Sequence, residues 1–242
     1  MKKALFYMMT AAVVIATSCG KDDEPEELQN QITMTTKQSN VAIVVTGSGT
    51  MTIDWGGGTE IETYTVPPSS AEPPVLTHAY SGSSTHTITI IGDDIHYLKC
   101  DNNGLTNLDL SRYPALRSLM CSTNPLKSLD VSNNPQLSFL NCNLTELTNL
   151  DVSNNPQLYR LICIQNQLTK LDLSKNTKLQ YIYCQGNKLG SDALNAMFET
   201  LHDNIIILGQ TKELYIAFNP GTSDCNISIA ENKRWSVNLT ND

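Results

Sequence analysis

The chain has 242 residues, 40% of them hydrophobic and 17% charged, a balance that suits one or two globular domains and excludes a disordered chain. Its formal charge of −8 leaves no basic face for nucleic acid. Lys2 and Lys3 bring +2 and residues 21–27 bring −4, while residues 28–242, with 13 Lys and Arg against 19 Asp and Glu, bring −6, which is ordinary and specifies no partner.

Residues 1–18 read as a secretory signal. Lys2 and Lys3 form a positive start, and Ala4 to Ile15 is a short apolar run, well below the ~20 residues of a membrane span. It ends in Ile15-Ala16-Thr17-Ser18-Cys19, which resembles a bacterial lipobox with Ala16 where Leu is commoner. The resemblance implies cleavage before Cys19 and acylation of its thiol. Several acyl chains on one cysteine anchor stably, since each buried methylene contributes ~0.8 kcal/mol. The plain alternative is an ordinary signal with a chance cysteine. Residues 19–27 form an acidic tether. Gly20-Lys21-Asp22-Asp23-Glu24 resembles the export signal of surface-exposed lipoproteins, which implies an outer-membrane, lipid-anchored protein facing the cell exterior.

Residues 28–94 predict short β-strands. The runs 31–36, 41–46, 50–55, 60–66 and 85–91 are rich in Thr, Val and Ile, with Gly and Pro between them. Ile53-Asp54-Trp55-Gly56-Gly57-Gly58-Thr59, His78-Ala79-Tyr80 and the alternating Thr85–Ile90 resemble the W-G-D-G-T turn and later strands of PKD-like β-sandwich domains, with Gly57 in place of Asp. Trp55 reads as a core plug rather than a sugar platform. Only Gly92-Asp93-Asp94 separates this segment from the next, so the two should share a rigid boundary.

Residues 95–189 repeat. Cys100, Cys121, Cys142, Cys163 and Cys184 stand 21 residues apart, and a fixed period of this length predicts a solenoid. Leu98, Leu119, Leu140, Leu161 and Ile182 precede the cysteines by two, and further leucine columns follow them. L-x-L-x-C alternates as a strand, and L-x-x-L-D-(L/V) gives a second extended run. The unit L-x-x-L-x-C-x-x-N-x-L-x-x-L-D-L-S-x-N-P-x resembles the 21-residue (IRREKO-type) leucine-rich repeat. In that family the asparagine three after each cysteine, here Asn103, Asn124, Asn166 and Asn187, bonds the turning backbone. Thr145 breaks the column and predicts an irregular rung. The thiols should be buried and reduced. In-register Cβ atoms ~4.8 Å apart exceed the ~3.5–4.5 Å of a disulfide, and thiols in one file do not surround a zinc ion. For the stacked Asp109, Asp130, Asp151 and Asp172, a cation or hydrogen bonds from backbone amides and from the serines two residues on would relieve the repulsion. No calcium-binding glycine-rich nonapeptide is present.

Residues 190–242 read as a C-terminal cap: Ser191 as a helix N-cap, then Leu194, Met197, Phe198 and Leu201 at helical spacing, then 213–218 as another rung. The whole is mainly β, a small PKD-like β-sandwich fused to a short leucine-rich-repeat solenoid of stacked parallel strands with a mixed α/β cap. Its histidines, His78, His86, His96 and His202, form no catalytic or metal motif, so no enzyme, metal or cofactor is expected. The outward positions of the first run carry Tyr97, Lys99, Met120, Phe139, Arg160, Ile162, Tyr181 and Tyr183, with Arg117 beside them. These residue types are enriched in interface cores. The expectation is a surface interaction or adhesion module that binds a protein or glycan, touches the membrane through Cys19 and does not bind nucleic acid. The alternative is a structural spacer or accessory subunit of an envelope assembly.

Overall fold

The structure is a computed structural model that describes residues 30–68, 72–82, 84–205 and 211–240; the signal 1–18, Cys19 and the tether to residue 27 lie outside it. Alternation builds the first part. In β1 (Gln31–Thr36) every second residue, Ile32, Met34 and Thr36, is buried. β2 (Asn40–Asp54), β3 (Glu62–Thr65), β4 (Leu76–Ala79) and β5 (His86–Lys99) follow. The runs 41–46 and 50–55, expected as two strands, are one. Gly47-Ser48 lies opposite Asp94 and Ile95, and the two strands absorb their glycine-containing stretches as paired register shifts instead of turns. A side chain at position 47 would put its Cβ 1.9 Å from the Asp94 carbonyl oxygen, so only glycine permits this approach. β4, a four-residue strand just after Pro73-Pro74, closes against Asn40–Ile43.

For the same reason β5 does not stop at residue 91. It pairs antiparallel with β1 and β2, runs through Gly92-Asp93-Asp94, and its end, Tyr97–Lys99, becomes the first rung of the parallel stack. The expected short linker is therefore strand. Trp55 is fully buried, as a core plug should be. It stacks on His78 at 5.1 Å, and the Tyr80 hydroxyl donates to the Trp55 carbonyl at 2.6 Å. Burial, with Asp54 nearby, pushes the Tyr80 phenol up to about 12.

The solenoid follows with β6 (Leu105–Arg112), β7 (Ser118–Met120), β8 (Phe139–Asn141), β9 (Arg160–Ile162) and β10 (Tyr181–Tyr183). β7 to β10 stack in parallel, each residue opposite the one 21 positions away. The leucines before the cysteines and all five ladder cysteines are fully buried. The second leucine run forms a strand only in β6, where β1 lies antiparallel on it. Elsewhere its buried positions, such as Leu126, Leu129 and Val131, are spaced by three and then two, which bends the chain around the core rather than alternating across a sheet.

The ladder cysteines are free thiols, with Sγ of Cys100, Cys121 and Cys184 3.4–3.6 Å from a carbonyl of the next strand. Burial pushes the Cys163 thiol up to about 12 and the other four likewise upward. Cys225 is only half-buried. Because the thiolate is the reactive form, a thiol reagent at about pH 8 should label Cys225 first and the ladder only on unfolding. Peptide mass mapping checks this; ladder thiols labelled as fast as Cys225 in the native protein would contradict the buried column.

The asparagine column works as the repeat predicts. Asn124 Nδ2 donates to the carbonyls of Cys100 and Cys121 at 2.9 Å, while its Oδ1 accepts from the N–H of Asn103 and Leu105. At Thr145 the rung is irregular: its hydroxyl is 2.9 Å from the Cys142 carbonyl and 2.7 Å from Asn166 Oδ1, and the Leu126 N–H turns instead to the Asn124 carbonyl at 2.7 Å. Two features were not read from the sequence. Asn102, Thr123, Leu144, Gln165, Gly186 and Phe218 all have φ of 51–65°, a conformation costing non-glycine residues ~1–2 kcal/mol. A second buried column, Asn134, Asn155 and Asn176, holds the other corner, each Nδ2 donating to two carbonyls of the rung before. In the first rung that position is Tyr113.

The C-terminal segment extends the stack. β11 (Lys212–Tyr215) pairs parallel with β10, and β12 (Trp235–Asn238) with β11; Asn219 continues the asparagine column. α1 (Ser191–Thr200) buries Leu194, Met197 and Phe198, but its N-cap is Gly190, so Ser191 is the first helical residue and caps nothing. A short helix, α2 (Ser228–Glu231), precedes β12. Lys212 is 1% exposed and its Nζ donates to the carbonyls of His202, Asn204 and Lys233.

Candidate functional site

Parallel register turns sequence columns into surface columns. Tyr97, Ser118, Phe139, Arg160, Tyr181 and Glu213 form one outward file, and Lys99, Met120, Asn141, Ile162, Tyr183 and Tyr215 form the next. Eight of the nine sequence-selected residues therefore lie on one sheet face. The ninth, Arg117, stands just before β7, its N–H bonded to the His96 carbonyl at 2.9 Å.

The face is laterally packed. Met120, Phe139, Ile162, Tyr181 and Tyr183 are half-buried by one another, while Lys99 and Arg117 are exposed. At one end the Tyr97 hydroxyl donates to Met120 Sδ at 3.1 Å. At the other, the Arg160 guanidinium carbon sits 4.8 Å from the Tyr181 ring centre and 5.4 Å from that of Tyr183, and Nη2 donates to the Tyr183 hydroxyl at 3.3 Å. Arg160 Nε is buried and has no acceptor among the described residues. Stacking, cation–π contact and a hydrogen bond together fix these side chains before any partner arrives.

Three residues of this cluster escaped the sequence reading. Tyr215 stacks on Tyr183 with ring centres 4.6 Å apart, Glu213 accepts the Tyr215 hydroxyl at 3.0 Å, and Tyr159 packs edge-on against Tyr181 at 5.4 Å. The register of β11 was the missing signal for the first two; 213–218 reads as a rung, yet its offset from the 21-residue frame hides which side faces outward. Tyr159 precedes the strand, outside the alternating positions. Desolvation, with hydrogen bonding to Glu213, raises the Tyr215 phenol above its ordinary value.

The opposite run is polar and exposed at Asn107, Asp109, Ser128, Asp130, Asn149, Asp151, Lys170 and Asp172. Each aspartate accepts the N–H of the serine two residues on at 2.9 Å. The serine hydroxyl and N–H hold Asp109 and Asp130 below the usual carboxylate range, and the N–H and hydroxyl do so for Asp151 and Asp172. Local hydrogen bonding therefore meets the repulsion of the column. The histidines are engaged separately: Tyr80 lies between His78 and His86, His96 Nε2 is 2.6 Å from Asp94 Oδ1, and His202 Nε2 is 2.7 Å from the Leu179 carbonyl. Among the described residues no group of three His, Cys, Asp or Glu could hold a metal ion.

No family model matches the chain, and no curated protein matches it. Among solved structures it is similar to the functional domain of InlJ from Listeria monocytogenes, described as including a cysteine ladder, with 28% identity over 60% of this chain and 34% of that one and a TM-score of 0.45. It is also similar to an internalin, InlF, of Listeria monocytogenes, with 20% identity over 53% of this chain and 36% of that one and a TM-score of 0.43. The chain thus spans about a third of the length of either protein.

Proposed function

We propose that this protein is a non-enzymatic interaction module of the cell surface that presents the two outward files of its parallel sheet to a protein or glycan. The observation that carries the reading is the Arg160, Tyr181, Tyr183 and Tyr215 cluster. Four interface-type side chains are locked together on a flat strand surface, so little rotamer entropy remains to be lost on binding. Pure strand propensity would explain tyrosines. It does not explain an arginine held over two of them and hydrogen-bonded to one. Sequence features of the first 27 residues support anchoring in the outer membrane through acylated Cys19, with the acidic tether holding the fold outward.

The test uses cells displaying the full chain and a panel of immobilised glycans and extracellular proteins. Replacing Arg160 with Ala and Tyr181, Tyr183 and Tyr215 with Ser should abolish whichever interaction the native chain shows, with stacking of the buried leucines intact by circular dichroism. Losing two or more anchor residues of ~2 kcal/mol each weakens binding by at least several hundred-fold. Retention equal to the native chain would exclude this face. In the same cells Cys19→Ala should move the protein from the membrane fraction to the medium; continued attachment would exclude the acyl anchor.

A further inference from the structure

Where β5 turns from the antiparallel strands into the first rung, the surface is not flat. Thr46 of β2, Pro73 of the β3–β4 connection, His96 and Tyr97 of β5, and Arg117 and Ser118 at the start of β7 surround a cavity of about 440 Å³. That volume lies in the range of small-ligand sites, ~300–1,000 Å³. Its walls come from four separate chain segments, three of which are tied together through their backbones. Thr46 pairs with Tyr97, Arg117 N–H donates to the His96 carbonyl, and Arg117 O accepts from Ser138 and Phe139.

The polar groups are arranged as if for an outside partner. Thr46 is 4% exposed, yet its Oγ1 has no hydrogen-bond partner among the described residues, an arrangement costing ~1–3 kcal/mol when nothing meets it. The Arg117 guanidinium makes no hydrogen bond or ion pair among the described residues. Asp94, which it attracts electrostatically, is already engaged through Oδ1 with His96 and through Oδ2 with the Ser48 hydroxyl. His96 meets Asp94 through Nε2, and its Nδ1 has no hydrogen-bond partner among the described residues. The Tyr97 ring is held in place by its hydroxyl on Met120 Sδ.

From this geometry we infer that the cavity is a binding site for an acidic sugar residue, its carboxylate on Arg117 and its ring against Tyr97 and Pro73. A guanidinium that makes no ion pair of its own favours a carboxylate, which it can grip with two parallel hydrogen bonds. Thr46 Oγ1, the Ser118 hydroxyl and His96 Nδ1 around one aromatic ring suit a ligand with several hydroxyls and one apolar face. A peptide C-terminus offers the carboxylate without the hydroxyls. The site does not depend on the Arg160 cluster, which lies three strands away.

The experiment is calorimetric titration of the folded chain with sodium glucuronate, with glucose and N-acetylphenylalanine as comparisons. Glucuronate should bind saturably, and glucose at least tenfold more weakly. Arg117→Gln, an exposed change that leaves the melting temperature unaltered, should cost tenfold or more in glucuronate affinity, and Thr46→Val, which keeps the side-chain shape, about threefold or more. Arg160→Gln should leave it unchanged, so loss of the sheet-face interaction and loss of this site are separable. Absence of saturable glucuronate binding, equal binding of glucose, or full affinity in Arg117→Gln overturns the assignment. Tighter binding of N-acetylphenylalanine overturns it in favour of a peptide carboxylate.

Discussion

Asn166→Ala should lower the stability of the chain by about 3–5 kcal/mol, more than most single core truncations of similar size. One amide serves five buried groups. Nδ2 donates to the carbonyls of Cys142 at 2.8 Å, Cys163 at 3.2 Å and Ile164 at 3.4 Å, and Oδ1 accepts the Leu147 N–H at 3.0 Å and the Thr145 hydroxyl at 2.7 Å. Alanine leaves the Cys163 carbonyl and the Leu147 N–H without the amide at the core's edge, each worth ~1–3 kcal/mol, while the Cys142 carbonyl keeps the Thr145 hydroxyl and the Ile164 carbonyl keeps the Leu144 N–H. In a chain of this size the melting temperature should fall by roughly 10 °C. Neighbouring rungs amplify the choice of position, because Thr145 has already lost its asparagine and leans on this one. Asn166→Thr reproduces the arrangement the chain tolerates at position 145 and should cost less than half as much. Thermal unfolding of the two variants decides the matter: equal losses would mean that the amide network contributes nothing beyond side-chain volume.

The columns that stack were legible because stacking is what repetition encodes. Residues 21 apart occupy equivalent places, so the buried cysteines, the inward leucines and the outward files follow from spacing alone. Tyr97, Phe139, Arg160 and Tyr181 accordingly fall in one file, as the alternation predicts. What the sequence hides is what breaks the period. Gly47-Ser48 and Gly92-Asp93-Asp94 look like turns when read singly; only their pairing across two strands turns them into register shifts inside β2 and β5. The same limit conceals the cavity, whose lining joins Thr46, Pro73, Tyr97 and Arg117 from segments with no common spacing. Ser191 fails differently. It has a cap's chemistry, but the close approach of Gly221 to the Gly190–Ser191 peptide moves the helix start one residue earlier. The positive-φ file escapes notice because Thr123, Leu144 and Phe218 are not residues that advertise a left-handed turn; the next residue of each, Asn124, Thr145 and Asn219, bonds the carbonyl three positions before it from inside the core.

Tyr113→Phe should destabilise the protein by about 2–4 kcal/mol although it removes a single oxygen. Tyr113 stands where later rungs carry Asn134, Asn155 and Asn176, and it does the corresponding work at the place where β5 bends. Its hydroxyl donates to the Gly92 carbonyl at 2.9 Å and accepts the Ile95 N–H at 2.5 Å, bridging the stretch opposite Gly47. The ring is fully buried, so phenylalanine keeps the packing and leaves one donor and one acceptor unpaired with no route to water. Tyr113→Asn should cost more, because an amide is too short to reach both groups and empties the volume of the ring. Burial pushes the Tyr113 phenol up to about 12, so it contributes stability that is complete below about pH 10, the unfolded value, and is lost as pH rises through 12; Tyr80 contributes in the same window. The phenylalanine variant should therefore lose less stability than the native chain between pH 10 and 12. Hydrogen exchange locates the effect: the Ile95 amide should exchange faster in Tyr113→Phe while amides of β9 and β10 keep their protection. An unchanged Ile95 rate would show that β5 holds its bend without this hydroxyl.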